Sequence, residues 1–171
     1  NYKNLITSNP IMSKVKNTLN EVGKLLKKAL ANELEGQGHR ASASGSIIDG
    51  FKHKVNDTSV TITTDKEYAN VLETGIPKGS KVDKERIKEW VRKKGFATNE
   101  TEVNQIAYLV ARKMKLEGVP TKKAMTHSRN GRRIGFIDQV LKENEDKITK
   151  MIMDAFAFDI DVMFNKLPSE V

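Results

Sequence analysis

From Ile11 to Leu34 apolar residues return every three or four positions: Ile11, Val15, Leu19, Val22, Leu26, Leu30 and Leu34. That spacing lines one stripe of an α-helix, and Lys14, Lys16, Lys24, Lys27 and Lys28 lie largely off it. Asn9 can cap the start, Pro10 suits the first turn, and Gly36 and Gly38 end it. The pattern predicts a core-facing helix over about 10–35. A small-residue loop, Gly38 to Ser46, follows, and then the period drops to two. Val60 and Ile62 alternate with Ser59, Thr61 and Thr63, while Ile47, Phe51 and Val55 share a parity. With Asn56-Asp57 between the runs, a β-hairpin of Ile47–Val55 with Ser59–Thr64 is expected.

Helical spacing then resumes. Asp65 is expected to cap a short helix with Tyr68, Val71 and Leu72 on one face and Gly75 at its end. Asp83 should cap Lys84–Lys94, where Ile87, Trp90 and Val91 form the apolar side and Gly95 closes the helix with Phe96 folded back on Val91. Asn99 with Glu102 has the form of a capping box, opening a helix lined by Val103, Ile106, Ala107, Val110 and Met114. Gly118 should close it as Gly95 closes its predecessor, and Pro120 forbids continuation.

The segment 121–135 is basic, glycine-punctuated and poor in apolar residues, and Asn130-Gly131 is a strong hairpin signal. A basic projecting arm is expected there. Its cations are Lys122, Lys123, Arg129, Arg132 and Arg133. A last helix spans about 136–166, with one stripe of Val140, Leu141, Ile148, Met151, Ile152, Ala155 and Val162. A second stripe, Phe156, Ile160 and Phe164, diverges from it, so either the domain wraps the helix or another subunit covers it. Long N- and C-terminal helices, two or three shorter ones and a small antiparallel sheet make an α+β domain.

The 171 residues, 37% hydrophobic, suit one compact domain over 1–171 with the arm extending from it. The chain opens on Asn1, which points to processing or trimming of the start, and Asn1-Tyr2-Lys3-Asn4 leads into an amphipathic segment rather than a signal peptide. No run approaches the roughly 20 apolar residues of a membrane helix, so no membrane partner is expected. Absence of cysteine excludes disulfides and thiolate metal sites. The net charge of +8 is uneven. Arg112 to Arg133 is strongly basic, whereas Glu143, Glu145, Asp146, Asp154, Asp159 and Asp161 make the last helix acidic. Two solvated faces and two complementary assembly surfaces both fit that division.

Candidate chemistry is sparse. His39, His53 and His127 are far apart and carry no ligand spacing. Asp49 and His53 could share a strand face but lack a nucleophile pattern. Gly36-x-Gly38 is no dinucleotide loop, and no Gly-Lys-Ser/Thr phosphate loop occurs. The carboxylates of the last helix mostly read as exposed-face charges, which leaves no acid–base pair. Neither a cofactor, a metal nor enzymatic activity is expected. For nucleic acid, Thr126 to Arg133 offers cations and hydroxyls without aromatics for stacking.

An ordered series of motifs adds a resemblance. It begins Ala43-Ser44-Gly45-Ser46-Ile47-Ile48-Asp49-Gly50-Phe51, continues Tyr68-Ala69-Asn70-Val71-Leu72-Glu73-Thr74-Gly75 and Ile87-Lys88-Glu89-Trp90-Val91-Arg92-Lys93-Lys94-Gly95, and ends Ile106-Ala107-Tyr108-Leu109-Val110-Ala111-Arg112-Lys113-Met114 with Glu117-Gly118-Val119-Pro120. In order and spacing, over Ala43 to Pro120, it resembles the neck, head–tail joining and tail-completion proteins of tailed-phage virions. Gly50 stands where that family favours serine, and the basic stretch after Thr121 is longer. The resemblance implies a non-enzymatic virion protein assembled in the host cytoplasm, forming a homo-oligomeric ring with other neck, portal or tail proteins, with DNA in its channel as a non-specific contact. Subunit contacts are then expected at Phe156, Ile160, Phe164, Tyr68 and Glu73. A non-specific DNA-binding accessory protein is the alternative.

Overall fold

The computed structural model describes residues 13–39 and 47–165. In chain order these form α1 (Ser13–Gly36), a 3₁₀ turn (Ile48–Gly50), β1 (Lys52–Val55), β2 (Val60–Thr63), α2 (Ala69–Thr74), α3 (Lys84–Lys94), α4 (Glu100–Glu117), α5 (Lys122–Met125) and α6 (Phe136–Phe164). The fold is α+β, mostly helical with one two-stranded antiparallel sheet. No described helix is long and apolar enough to cross a membrane. The proposed Asn9 cap, Pro10, Ile11 and the Ala43–Ser46 motif lie outside the described residues. Contacts divide the chain into two compact units: α1 to Glu35, the hairpin and α6 from Ile137 form one, and 36–39 with Glu67–Phe136 the other.

In the first unit the expected stripe of α1 is buried from Val15 to Leu34. Val15 and Leu19 meet Ala155 of α6, with Val55, Val60 and Ile152 packed around them. The hairpin pairs Lys52 with Thr63 through Val55 with Val60, its half-buried face alternating with exposed Lys and Thr. It crosses α1 at Gly23, where a Cβ would lie 2.6 Å from the His53 ring, and His53 Nε2 is 2.8 Å from Asn20 Oδ1. β1 is shorter than expected. Ile48–Gly50 closes as a turn, with the Gly50 amide donating to Ile47 O, and Ile47 and Phe51 are buried beside it rather than along a strand. Asp65 does not cap α2 either. It pairs with Lys66, and α2 starts after Tyr68 without a side-chain cap.

One carboxylate of α6 is an exception to its mostly exposed acidic face. Asp159 is 4% exposed and accepts hydrogen bonds from the backbone N–H groups of Val15 at 3.0 Å and Lys14 at 3.3 Å. A buried carboxylate is tolerated where donors and a helix N-terminus compensate it, and the first described turn of α1 supplies both.

The second unit is organised by α3 against α4. Ile87 and Val91 pack on Val103, Ala107 and Ala111. Asp83 accepts from the Glu85 and Arg86 amides and Asn99 from the Glu102 amide, as the cap positions predicted. The reciprocal half of the capping box moves one residue upstream, because Glu102 accepts from both N–H and O–H of Thr98. Gly95 is left-handed, with the Phe96 amide bonded to Val91 O, while the Phe96 ring stands edge-on to Trp90 at 5.3 Å. Arg92 grips Glu100 through two 2.8 Å hydrogen bonds across the α3–α4 turn.

Gly118 ends α4 differently from Gly95. Its φ of 84° and ψ of −170° extend the chain, and Val119 exchanges two backbone hydrogen bonds with Ile76. A Cβ on Gly118 would sit 2.6 Å from Ile76 O, and one on Gly75 2.4 Å from Val119 O. The two glycines therefore let the ends of α2 and α4 meet backbone to backbone.

Three substitutions test these contacts. Gly118→Ala should destabilise the second unit by about 1–3 kcal/mol through strain and clash. Gly79→Ala, at φ +81° with open space around it, should cost only about 1–2 kcal/mol from handedness. Asp159→Ala should lower stability by about 1–3 kcal/mol, because two α1 amides lose their acceptor. Urea unfolding with residue-resolved hydrogen exchange measures all three. Native-like stability of Asp159→Ala would show that the carboxylate does not hold α1.

Candidate functional site

The basic segment is tied down at the end of α1, where helix carbonyls need donors. The Arg129 and Asn130 amides both donate to Gly36 O, at 2.8 and 3.2 Å, and Arg133 Nη1 donates to Gln37 O at 2.6 Å. Gln37 Nε2 returns a hydrogen bond to Ile134 O. Asn130-Gly131 makes no β-hairpin: the Asn130 side chain accepts from the Arg132 amide and from Ser128 Oγ, closing a compact bend. Upstream, Thr121 caps α5 and the Lys122 amide donates to Glu117. That bond and Lys113 hold the Glu117 carboxyl below its usual range. Lys122, Lys123 and Arg129 are exposed, whereas Arg132 and Arg133 are half-buried. An arm of five solvent-facing cations is thus not what this segment builds.

Among the histidines, His53 is bonded to Asn20 and His127 is exposed. His39 is half-buried beside Arg133, and its Nε2 finds no hydrogen-bond partner among the described residues. Burial, and then the Arg133 charge, push its imidazole below the ordinary value, while burial lowers Arg133 in turn. No cluster of three His, Cys, Asp or Glu able to hold a metal occurs among the described residues.

On α6, Phe156 and Ile160 are 43% exposed and Phe164 68%. Met153, 65% exposed and missed in the sequence reading, continues their row at three- and four-residue spacing. At 100° per residue this row is turned about 140° from the buried side containing Val140, Ala155 and Asp159. Phe158 stands apart from it, with Lys14 Nζ over its ring. Tyr68 is exposed at the start of α2 and Glu73 half-buried near its end, where the Glu73 carbonyl accepts from the Gly135 amide. These two belong to the second unit and the α6 row to the first.

A hollow lies in the second unit, between the 79–82 loop, the start of α3 and one side of α4. It measures about 670 Å³ and is lined by Lys81, Lys84, Arg112 and Lys115 with Ser80 and Tyr108 on its wall, and no lining residue is acidic. The Gly79 amide bonds to Lys115 O, fixing the loop on α4, and Lys84 Nζ sits 5.6 Å above the Tyr108 ring. No local pattern brings Lys81 and Lys84 to Arg112 and Lys115. The only sequence trace is the helical spacing of Tyr108, Arg112 and Lys115. Charge is partitioned in the same sense. The second unit carries 16 Lys and Arg against 8 Asp and Glu, and the remainder of the chain 14 of each, so the whole excess of +8 belongs to the second unit.

His39 gives a pH dependence. Its folded-state affinity for protons is below that of the unfolded chain, so its contribution to stability is complete above about pH 6.5 and declines as pH falls through and below that value. Thermal melts from pH 7.5 to 5.5 should show His39→Gln losing less stability on acidification than wild type. Parallel profiles would contradict the assignment.

Compared with protein families, with curated proteins and with solved structures, the chain matches none.

Proposed function

We propose that this chain is a structural subunit of a tailed-phage virion, a ring-forming neck or tail-completion protein that assembles through the outer row of α6 and turns over no substrate. The observation that carries this reading is the row Met153, Phe156, Ile160 and Phe164, four large apolar side chains exposed together on a helix whose opposite side already fills a core. Burying each side chain is worth about 1.5–3 kcal/mol, so a neighbouring copy gains substantially by covering them. The ordered sequence motifs from Ala43 to Pro120 support the family, with portal, neck and tail proteins as its further partners and the virion as its location. Tyr68 and Glu73 are the second contact region in this reading.

A second reading, a non-specific DNA-binding accessory protein, is favoured by a different observation, the concentration of the entire charge excess in one unit. The two differ in mass and in salt response. Light scattering behind gel filtration should find an oligomer without DNA if the first holds. Ile160→Lys should then shift the population to monomer, weakening association by about 10-fold or more, with circular dichroism unchanged. A wild type that stays monomeric at all concentrations, alone and with purified portal or tail partners, would remove the assembly reading.

A further inference from the structure

We infer that the hollow bounded by Lys81, Lys84, Arg112 and Lys115 is a binding site for the phosphodiester backbone of a nucleic acid. This names the site for the second reading above and does not require the first.

Cations on α3 and α4 differ in how they are compensated. Arg86 pairs with Glu67 and Asp83, Lys88 with Glu85, Arg92 with Glu100, and Lys113 with Glu117. Lys93 and Lys94 at the end of α3 and the four cations of the hollow have no carboxylate partner among the described residues, and of these only the four line one concave surface. Glu117, one turn from Lys113, is held by the Lys122 amide as well and does not line the hollow. Four like charges converging on one concave surface repel one another and focus a positive potential into it, a cost that a bound anion removes.

Size and chemistry then choose the anion. A space of about 670 Å³ is in the range of sites for extended ligands, well beyond one inorganic ion. Three lysines and an arginine offer point charges and N–H donors, and Ser80 adds a hydroxyl, which is the donor set of phosphate contacts rather than of base-edge readout. Tyr108 is half-exposed on the wall with one face under Lys84. A polymer bearing a charge at every step also gains from the remaining positive excess of the unit, which a short acidic peptide meets only in part. The contact is therefore sequence-independent and strongly dependent on salt.

Fluorescence anisotropy with a labelled 20-base-pair duplex and the matching single strand, from 50 to 200 mM salt, tests this on the full chain. Lys81→Gln/Arg112→Gln/Lys115→Gln leaves the Lys84–Tyr108 contact in place and removes three charges. Lys122→Gln/Lys123→Gln/Arg129→Gln removes the same number outside the hollow. The first variant should lower the slope of log affinity against log salt by about 2–3, from about 0.9 per lost duplex contact and 0.7 per lost single-strand contact, and weaken binding at low salt by about 100-fold. The second should change the slope by less than about 1. Lys81→Arg, which keeps the charge, should bind like wild type. Equal losses in both triple variants, with native circular dichroism, overturn the hollow as the site while leaving a DNA-binding protein. No binding of either nucleic acid at 50 mM salt sinks both. Poly-glutamate or ATP held as tightly as the duplex, and released by the first variant, replaces the nucleic-acid backbone with an acidic protein or a free nucleotide and overturns the proposal.

Discussion

Asp159 sits inside the first unit with its carboxylate against the Lys14 and Val15 amides of α1, and much of that unit's geometry is set by where this charge can be placed. Out of water, a carboxylate is stable only where several donors or a positive potential face it. The start of α1 offers both, so α6 is held to one axial position and one rotation against α1. Ala155, one turn before Asp159 on the same side, is thereby brought onto Val15 and Leu19. That contact leaves room for the hairpin to cross at Gly23, where any side chain would strike His53 or Val60. Fixing the inward side of α6 also fixes its outward side. Met153, Phe156, Ile160 and Phe164 cannot turn to the core without withdrawing Asp159 from its donors.

The second unit obeys a different constraint, backbone closure at the ends of its helices. Gly75 and Gly118 allow Ile76 and Val119 to pair, and the loop that leaves this bridge returns to α4 through the Gly79 amide on Lys115 O. With the loop so placed, Ile87 and Val91 can cover only one side of α4, the side of Val103, Ala107 and Ala111. Tyr108, Arg112 and Lys115 fall on the adjoining side, facing the loop that carries Lys81. The same hydrogen bonds that end the helices thus create the cationic hollow.

Much of this was legible from residue order because it depends on local chemistry. The α1 stripe, the Asp83 and Asn99 caps, the Gly95 closure and the outward row of α6 each follow from residues within a few turns of one another. The failures share a cause. Asp159 falls on the helical wheel among Ile148, Ile152 and Ala155 and away from Asp154 and Asp161, so its inward side was legible, and only the approach of α1 supplies the donors that make it tolerable there. Asn130-Gly131 favours a hairpin locally, but the unsatisfied carbonyls of Gly36 and Gln37 capture Arg129, Asn130 and Arg133 first. Asp49-Gly50 turns the chain before β1 can reach Ile47. Gly118 resembles Gly95 in sequence, and the strand-like partner at Ile76 makes them differ. The hollow was invisible because its cations come from two segments some thirty residues apart, each of which alone reads as a solvated face.

Segregation of charge and apolar surface has a consequence for the two proposed activities together. The unit with the exposed apolar row has no net charge, and the unit with the cationic hollow carries the whole excess of +8. Apolar association through the first, as proposed, would be free of net like-charge repulsion on the unit that makes the contact, while each added copy would bring another strongly positive unit. Repulsion among those units grows with copy number and is relieved by a polyanion that neutralises several at once. In an assembly of the proposed kind, binding of one copy would bring the hollows of its neighbours to the same polymer at a high effective concentration, raising affinity without any new contact. If both proposals hold, assembly and nucleic-acid binding favour each other, and by linkage the coupling is equal in both directions. Salt acts on the two halves oppositely. It screens repulsion between copies and weakens the backbone contacts, so the polyanion's contribution to assembly is greatest at low ionic strength and the apolar row dominates at high.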